Sequence, residues 1–262
     1  MLQLGRFPRV RLGHLPTPLE PMARLSAHLG GPKLWIKRDD CTGLATGGNK
    51  TRKLEYLVAD ALQQGADTLI TLGALQSNHA RQTAAAAAKL GLKCVLVLDE
   101  RVSQATDAYR HNGNVLLDRL LGATLKYVPR DSSMRATTEM AADEVRRAGG
   151  RPRDNQEKNV ARLLDETWAH LGLKGAAPHD NIEANADYFG EGYGIPTPAM
   201  KEAVGLLAET EGVLLDPVYS GKAMSGLIDL VRKKAFGKDE NIVFVHTGGQ
   251  AGLFAYEPAF AA

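Results

Sequence analysis

Four short polar segments hold most of the side chains in this sequence that could do chemistry. They are Thr46-Gly47-Gly48-Asn49-Lys50-Thr51-Arg52-Lys53, Gln76-Ser77-Asn78-His79, Asp216-Pro217-Val218-Tyr219-Ser220-Gly221-Lys222 and His246-Thr247-Gly248-Gly249. In the first, Asn49 is a good N-cap, which makes Lys50 the first residue of a helix. The positive end of the helix dipole disfavours an ammonium there, and Arg52 and Lys53 add like charge nearby. All three effects favour the neutral amine that a lysine needs to attack an aldehyde. An ordinary surface lysine at a basic helix start would carry the same Gly-Gly-Asn-Lys. Ser77 and Asn78 stand where simple helix caps would stand. Tyr193 and Tyr219 lie on segments flanked by Gly and Pro, whereas Tyr56 and Tyr127 fall in periodic elements, where a tyrosine is usually core material. His79 and His246 suit structural hydrogen bonds better than proton transfer.

These segments must be held by something, and hydrophobic periodicity shows what. Leu54, Leu57, Val58, Ala61 and Leu62 fall at i, i+3, i+4, i+7 and i+8, an amphipathic helix that Gly65 ends. A strand at 68–72, a helix at 78–90 containing the run Ala84 to Ala88, a strand at 94–98, a helix at 115–121, a strand at 124–128 and a helix at 132–148 continue an alternation of parallel α/β type. Further on the pattern predicts helices over 160–171, 198–208 and 223–234, with strands at 213–215 and 242–246. Three of the polar segments directly follow strands, and in open parallel sheets ligands bind beyond the carboxyl ends of the strands.

The alternation breaks at Gly149-Gly150-Arg151-Pro152. An apolar strand is due there, yet Arg153-Asp154-Asn155-Gln156-Glu157-Lys158-Asn159 leads straight into another helix. The chain therefore reads as two stretches joined across a missing segment at Pro152/Arg153, the alternatives being a genuine deletion or an irregular connection between domains. Composition bounds the rest. The 262 residues are 44% hydrophobic and 24% charged, as in a globular protein of one large or two small domains. A net charge of +2 with no run of like charges argues against nucleic acid as a partner. Two cysteines, Cys41 and Cys94, make no disulfide framework and no metal-ligand spacing, and a reducing cytoplasm is expected. The charged, proline-containing N-terminus and the lack of 18 successive apolar residues argue against secretion and a membrane.

In order, IKRDDCTG, GGNKTRKLEYL, QSNHARQTAA, GEGYGIP, DPVYSGKAMSGLIDL and HTGG closely resemble pyridoxal-phosphate-dependent enzymes of the tryptophan-synthase β fold type, in the branch of D-cysteine desulfhydrase, L-cysteate sulfo-lyase and 1-aminocyclopropane-1-carboxylate deaminase. The resemblance covers residues 5 to about 152 and 153 to about 256. It implies two doubly wound parallel-sheet domains, a small one at 53–152 and a larger one from 1–52 and 153–262, with pyridoxal phosphate in the cleft between them. It makes Lys50 the residue that binds the cofactor aldehyde and shuttles the α-proton. Asn78 would bond the phenolic oxygen, and Ser77 with the helix N-terminus would receive the substrate carboxylate. His79 would lie beside that substrate site. Tyr193 and Tyr219 would face the substrate, and Ser220 and Thr247 the pyridine edge, although the Thr247 hydroxyl could equally cap its turn.

Ser220 bears on reaction type. The cyclopropane deaminases carry a glutamate at this position, and a neutral hydroxyl leaves the ring a weaker electron sink, which suits elimination of a good β-leaving group. The resemblance thus implies a lyase converting D-cysteine to pyruvate, hydrogen sulfide and ammonia, ahead of L-cysteate, then the cyclopropane acid, then a non-catalytic α/β binding protein. It also implies a homodimer. One departure is marked: the Gly-x-Gly-Gly-Thr type of loop that holds the cofactor phosphate in such enzymes has no counterpart at the 152/153 junction.

Overall fold

Short runs, apolar in β3, β4 and β7 above all, become the strands of two sheets. The computed structural model describes residues 4–102, 105–128, 133–150, 152–153, 160–177, 183 and 185–261. A three-stranded sheet is made by β1 (Leu19–Pro21), antiparallel to β2 (Lys33–Arg38), and by β7 (Asn241–His246), parallel to β2. A four-stranded parallel sheet has β3 (Thr68–Ala74), β4 (Lys93–Asp99), β5 (Thr124–Tyr127) and β6 (Pro152–Arg153) in the order β5-β4-β3-β6.

The period-2 alternation of β3 and β4 divides their side chains between two cores. Leu69, Leu96 and Leu98 pack with Leu54 and Val58 of α2 (Lys50–Gln63), Ala80 and Ala84 to Ala87 of α3 (Asn78–Lys89) and Val115 of α5 (Asn114–Leu120). Ile70, Val95 and Val97 face the other way, onto Ala141 of α6 (Met134–Arg147). Each large side chain so buried contributes about 2 kcal/mol of transfer free energy. The alanine run lets α3 lie close to the sheet, which fixes where its first residues, Asn78 and His79, emerge. The three-stranded sheet buries Leu34, Ile36 and Phe244 against α1 (Ala23–Leu29), α8 (Pro198–Glu211) and α9 (Ser220–Arg232). Its opposite side carries Val243 and Val245, each 50% exposed. Short helices α4 (Asp107–His111) and α10 (Glu257–Phe260) complete the set with α7 (Val160–His170). α7 reaches back to the N-terminal segment through Arg6, which donates to the His170 carbonyl at 2.5 Å, and through the Phe7 ring stacked on His170.

Most expected elements appear within a few residues of their predicted bounds, and Gly65 and Gly91 take φ of +70° and +71° as helix stops should. Two expectations need correction. The predicted strand at 213–215 alternates as a strand does, with Val213 and Leu215 buried and Leu214 exposed, but it joins no ladder among the described residues. The Leu214 carbonyl accepts from the His246 ring instead, at 2.9 Å. Second, a strand does follow α6: β6 is two residues long and pairs in register with Thr68 and Leu69. β6 joins Pro152 directly to Arg153, the junction at which a missing segment is expected. Intact-mass spectrometry decides between a missing segment and a genuine deletion: a species substantially heavier than 28.2 kDa is expected from the missing segment, and 28.2 kDa itself would rule that segment out.

Candidate functional site

The loop that delivers Lys50 is built from backbone conformations few side chains tolerate. Ala45, Thr46, Gly47 and Gly48 all have positive φ, at 43°, 68°, 74° and 130°. A Cβ on Gly47 would lie 1.8 Å from the Asp40 carbonyl oxygen, and one on Gly48 would lie 2.4 Å from Gln82 Nε2. Both glycines are therefore required by contact as well as by conformation. Lys50 is the first residue of α2, as the sequence implies, but Asn49 does not cap it. Asn49 is already helical at φ −65°, ψ −19°, with no side-chain cap bond, and its backbone N–H donates to the Thr247 carbonyl at 2.9 Å. The cap comes from α3: Gln82 Oε1 accepts from the Thr51 N–H at 2.9 Å and its hydroxyl at 3.0 Å, while Gln82 Nε2 donates to the Asn78 carbonyl at 3.0 Å. One side chain thus ties the start of α2 to the start of α3. Arg52, expected to add like charge beside Lys50, is held by Asp39 through two bonds of 2.7 Å, so its charge is matched.

Ser77 caps α3, its Oγ accepting from the Ala80 N–H at 3.2 Å. The hydroxyl keeps its own proton for another acceptor, so capping and carboxylate binding are compatible. Gly73 makes room for it, since a Cβ there would lie 2.6 Å from Ser77 Oγ. Asn78 is fixed at its oxygen, where Oδ1 accepts from Asn114 Nδ2 at 2.9 Å. Its Nδ2 faces the other TGG loop, 2.7 Å from where a Cβ on Gly249 would stand. Asn114 in turn accepts from Nε of Arg81 at 2.7 Å. Arg81 is fully buried, and its remaining donors reach the Gly47 carbonyl at 3.1 Å and the Ala45 carbonyl. Burial pushes its pKa down to about 10, which still leaves it protonated at neutral pH. His79 is buried, with Nε2 bonded to Thr71 Oγ1 of β3 at 2.9 Å.

The two tyrosines meet. Tyr193 and Tyr219 hydroxyls lie 2.8 Å apart with their rings edge to face, and burial raises the Tyr193 pKa above its ordinary value. The loop carrying Tyr193 is pinned by Lys222 Nζ, which donates to the Phe189 and Gly192 carbonyls at 2.5 and 2.8 Å, and by the Tyr256 hydroxyl, which donates to the Gly194 carbonyl at 2.9 Å. Tyr219 and Ser220 are set by Asp216. Its carboxylate accepts from the N–H groups of Val218, Tyr219 and Ser220 at 2.8 to 2.9 Å and from the Ser220 hydroxyl at 2.6 Å. Ser220 is therefore not the lone neutral hydroxyl of the sequence reading: a carboxylate stands directly behind it. His246 is buried and neutral, its pKa lowered mainly by burial; Nε2–H donates to Leu214 and Nδ1 accepts from Gly248 N–H at 3.3 Å. Thr247 contributes its carbonyl to Asn49. Asp216, Lys222, Gln82, Arg81 and Asn114 were not picked out from the sequence. Only Asp216 left a local signal, an acidic residue four positions before the first residue of α9.

An amine at a helix start, an amide nitrogen facing a glycine pair, a serine at a second helix start and a hydroxyl backed by a carboxylate are donors and acceptors that fit a substituted pyridine aldehyde and an amino-acid carboxylate. The chain matches the family described as pyridoxal-phosphate dependent enzyme over residues 10–160 and 147–248, and it belongs to that family. It is 40% identical to the D-cysteine desulfhydrases of Salmonella newport (strain SL254) and Salmonella typhi, over 97% of this chain and 98% of each relative. It superposes on the crystal structure of an ACC deaminase homologue with a TM-score of 0.82 and 31% identity, over 98% of this chain and 96% of that one. The alignment to the desulfhydrases spans 322 residues against 262 here, so at least 60 of its positions have no residue in this chain. The two family matches meet at 147–160, where the alternation breaks.

One buried carboxyl near the site has a measurable signature. Asp118 of α5 is fully buried with neither oxygen hydrogen-bonded, and burial raises its pKa from 3.8 to about 8, opposed by Arg81. A raised folded pKa contributes stability below pH 4 that is lost as pH rises through 8. Asp118→Asn is expected to flatten the fall in denaturation midpoint between pH 5 and pH 8, with a gain at pH 8 on the order of 1 kcal/mol or more; parallel curves for the two proteins would refute the assignment.

Proposed function

We propose that the chain is a carbon–sulfur lyase that eliminates the β-substituent of D-cysteine to give pyruvate, hydrogen sulfide and ammonia. The reading is carried by the 40% identity to D-cysteine desulfhydrases over nearly the whole chain, combined with the paired Tyr193 and Tyr219 hydroxyls. Pyridoxal phosphate supplies, when bound, an aldehyde for the substrate amine and a ring that withdraws electrons from the α-carbon. Lys50 would be the residue that holds the cofactor, and its amine would be the base that takes the α-proton. The Ser77 hydroxyl and the first turn of α3 receive the substrate carboxylate. Asn78 Nδ2 would hold the cofactor at its phenolic oxygen, and the Ser220 hydroxyl, with Thr247, would hold it at the pyridine edge. The tyrosine pair shares a proton between two oxygens and delivers it to the departing sulfur as the Cβ–S bond breaks; water then completes the conversion to pyruvate and ammonia.

The two sheets form the two lobes of the cleft, the smaller lobe spanning 53–152, and its closure excludes water. Among the described residues no helix is long and apolar enough to cross a membrane. A cytoplasmic homodimer is the assembly expected from the resemblance. Pyruvate formation from D-cysteine, L-cysteate and 1-aminocyclopropane-1-carboxylate, measured side by side, is expected to be fastest with D-cysteine and absent in Lys50→Ala; equal or greater rates on either other substrate would overturn the choice.

The missing phosphate loop has its own consequence. With no Gly-x-Gly-Gly-Thr loop in the sequence at the 152/153 junction, the chain distinguishes phosphorylated from unphosphorylated cofactor weakly. Borohydride is expected to fix pyridoxal and pyridoxal phosphate to the Lys50 peptide with half-saturation within about threefold of each other. A hundredfold preference for the phosphate would show that another site holds it.

A further inference from the structure

Hydrogen-bond polarity runs in one direction from Arg81 to the cleft. A guanidinium has donors only, so the Asn114 atom bonded to Arg81 Nε must be the oxygen. Asn114 Nδ2 is then obliged to point the other way, and it donates to the Gln76 carbonyl at 3.0 Å and to Asn78 at 2.9 Å. The Gln76 carbonyl accepts only, which fixes the same orientation independently. Asn114 is locked along its backbone too, its N–H donating to Gln76 Oε1 at 2.9 Å. The Asn78 atom receiving that bond must be its oxygen, leaving its amide nitrogen turned to Gly249 and the cleft. Three of the four side chains sit where water cannot reset the pattern, Arg81 and Asn114 fully inaccessible and Gln76 nearly so, while Asn78 is half-buried. Arg81 also grips the Ala45 and Gly47 carbonyls of the loop that ends at Lys50.

We propose that Arg81 and Asn114 are positioning residues for the lyase reaction, setting which end of the Asn78 amide meets the cofactor's phenolic oxygen while holding the Lys50 loop against α3. The proposal rests on the reading of Asn78 as the phenolic-oxygen partner. A donor at that place would favour the ionised phenolic oxygen of a bound cofactor, whereas an amide turned round would present a second oxygen and repel it.

Asn114→Asp tests the relay while preserving shape. The new carboxylate still accepts from Arg81 with one oxygen, but its other oxygen can only accept, so Asn78 turns and donates inward. The wild type, Asn114→Asp, Arg81→Lys and Asn78→Ala are titrated with pyridoxal phosphate, recording the visible and near-ultraviolet bands and then the borohydride-fixed Lys50 peptide. Asn114→Asp is expected to lower the ratio of visible to near-ultraviolet absorbance by about threefold or more, as Asn78→Ala does, with the fixed Lys50 adduct retained. Arg81→Lys, which has no fork, is expected to lie between them and the wild type.

In cofactor-free protein, exchange of the Asn78 side-chain amide protons is expected to be fast in the wild type and slowed in Asn114→Asp. An unchanged band ratio and unchanged exchange in Asn114→Asp, with Asn78→Ala lowering the ratio, would overturn the relay alone. An unchanged ratio in Asn78→Ala would overturn the reading of Asn78 and the relay with it.

Discussion

A guanidinium shut away from water has to find protein acceptors for its N–H groups, and the site is organised around how Arg81 does so. Its partners come from two places that are remote in sequence. The Ala45 and Gly47 carbonyls belong to the loop before α2, and Asn114 Oδ1 belongs to the start of α5. Gln82, the next residue on α3, reaches the first turn of α2 at Thr51. Two adjacent side chains of one helix thus draw the approach to Lys50 onto the start of α3, and the left-handed conformations at 45–48 are what let the loop's carbonyls turn inward to meet them.

The other wall of the site is fixed by analogous means, with Asp216 and Lys222 as its buried charged anchors. Asp216 gathers three consecutive N–H groups and a hydroxyl, so Tyr219 and Ser220 leave the chain at set angles. Lys222, one turn into α9, caps the carbonyls of the segment bearing Tyr193. The 2.8 Å meeting of the tyrosine hydroxyls is the outcome of these two anchors together, since the residues lie on separate segments. Both anchors sit within a single seven-residue motif.

Local patterning made α2, α3, α6, α8 and α9 legible, because each carries apolar residues at helical spacing and most are punctuated by glycine. Lys50 at the head of a helix was legible for the same reason. What capped that helix was not, because Asn49 looks like a cap and the true one, Gln82, lies 31 residues away. The bond between Arg81 and Asn114 spans 33 residues and leaves no periodic trace. The segment at 213–215 shows the reverse error: its alternation is that of a strand, but pairing needs a neighbour, and alternation alone cannot supply one. The role of the motifs came from their resemblance to a family, and the family match agrees with it.

β6 lies at the outer margin of its sheet, with β3 on one side only. A central strand could not be trimmed to two residues without stranding donors and acceptors on both neighbours, whereas a marginal one releases a single row that solvent can satisfy. Architecture of this kind localises injury. The β3–β4 and β4–β5 ladders do not pass through β6, and α3, whose first turn lies beside Lys50, is seated on β3 and β4 rather than on that margin.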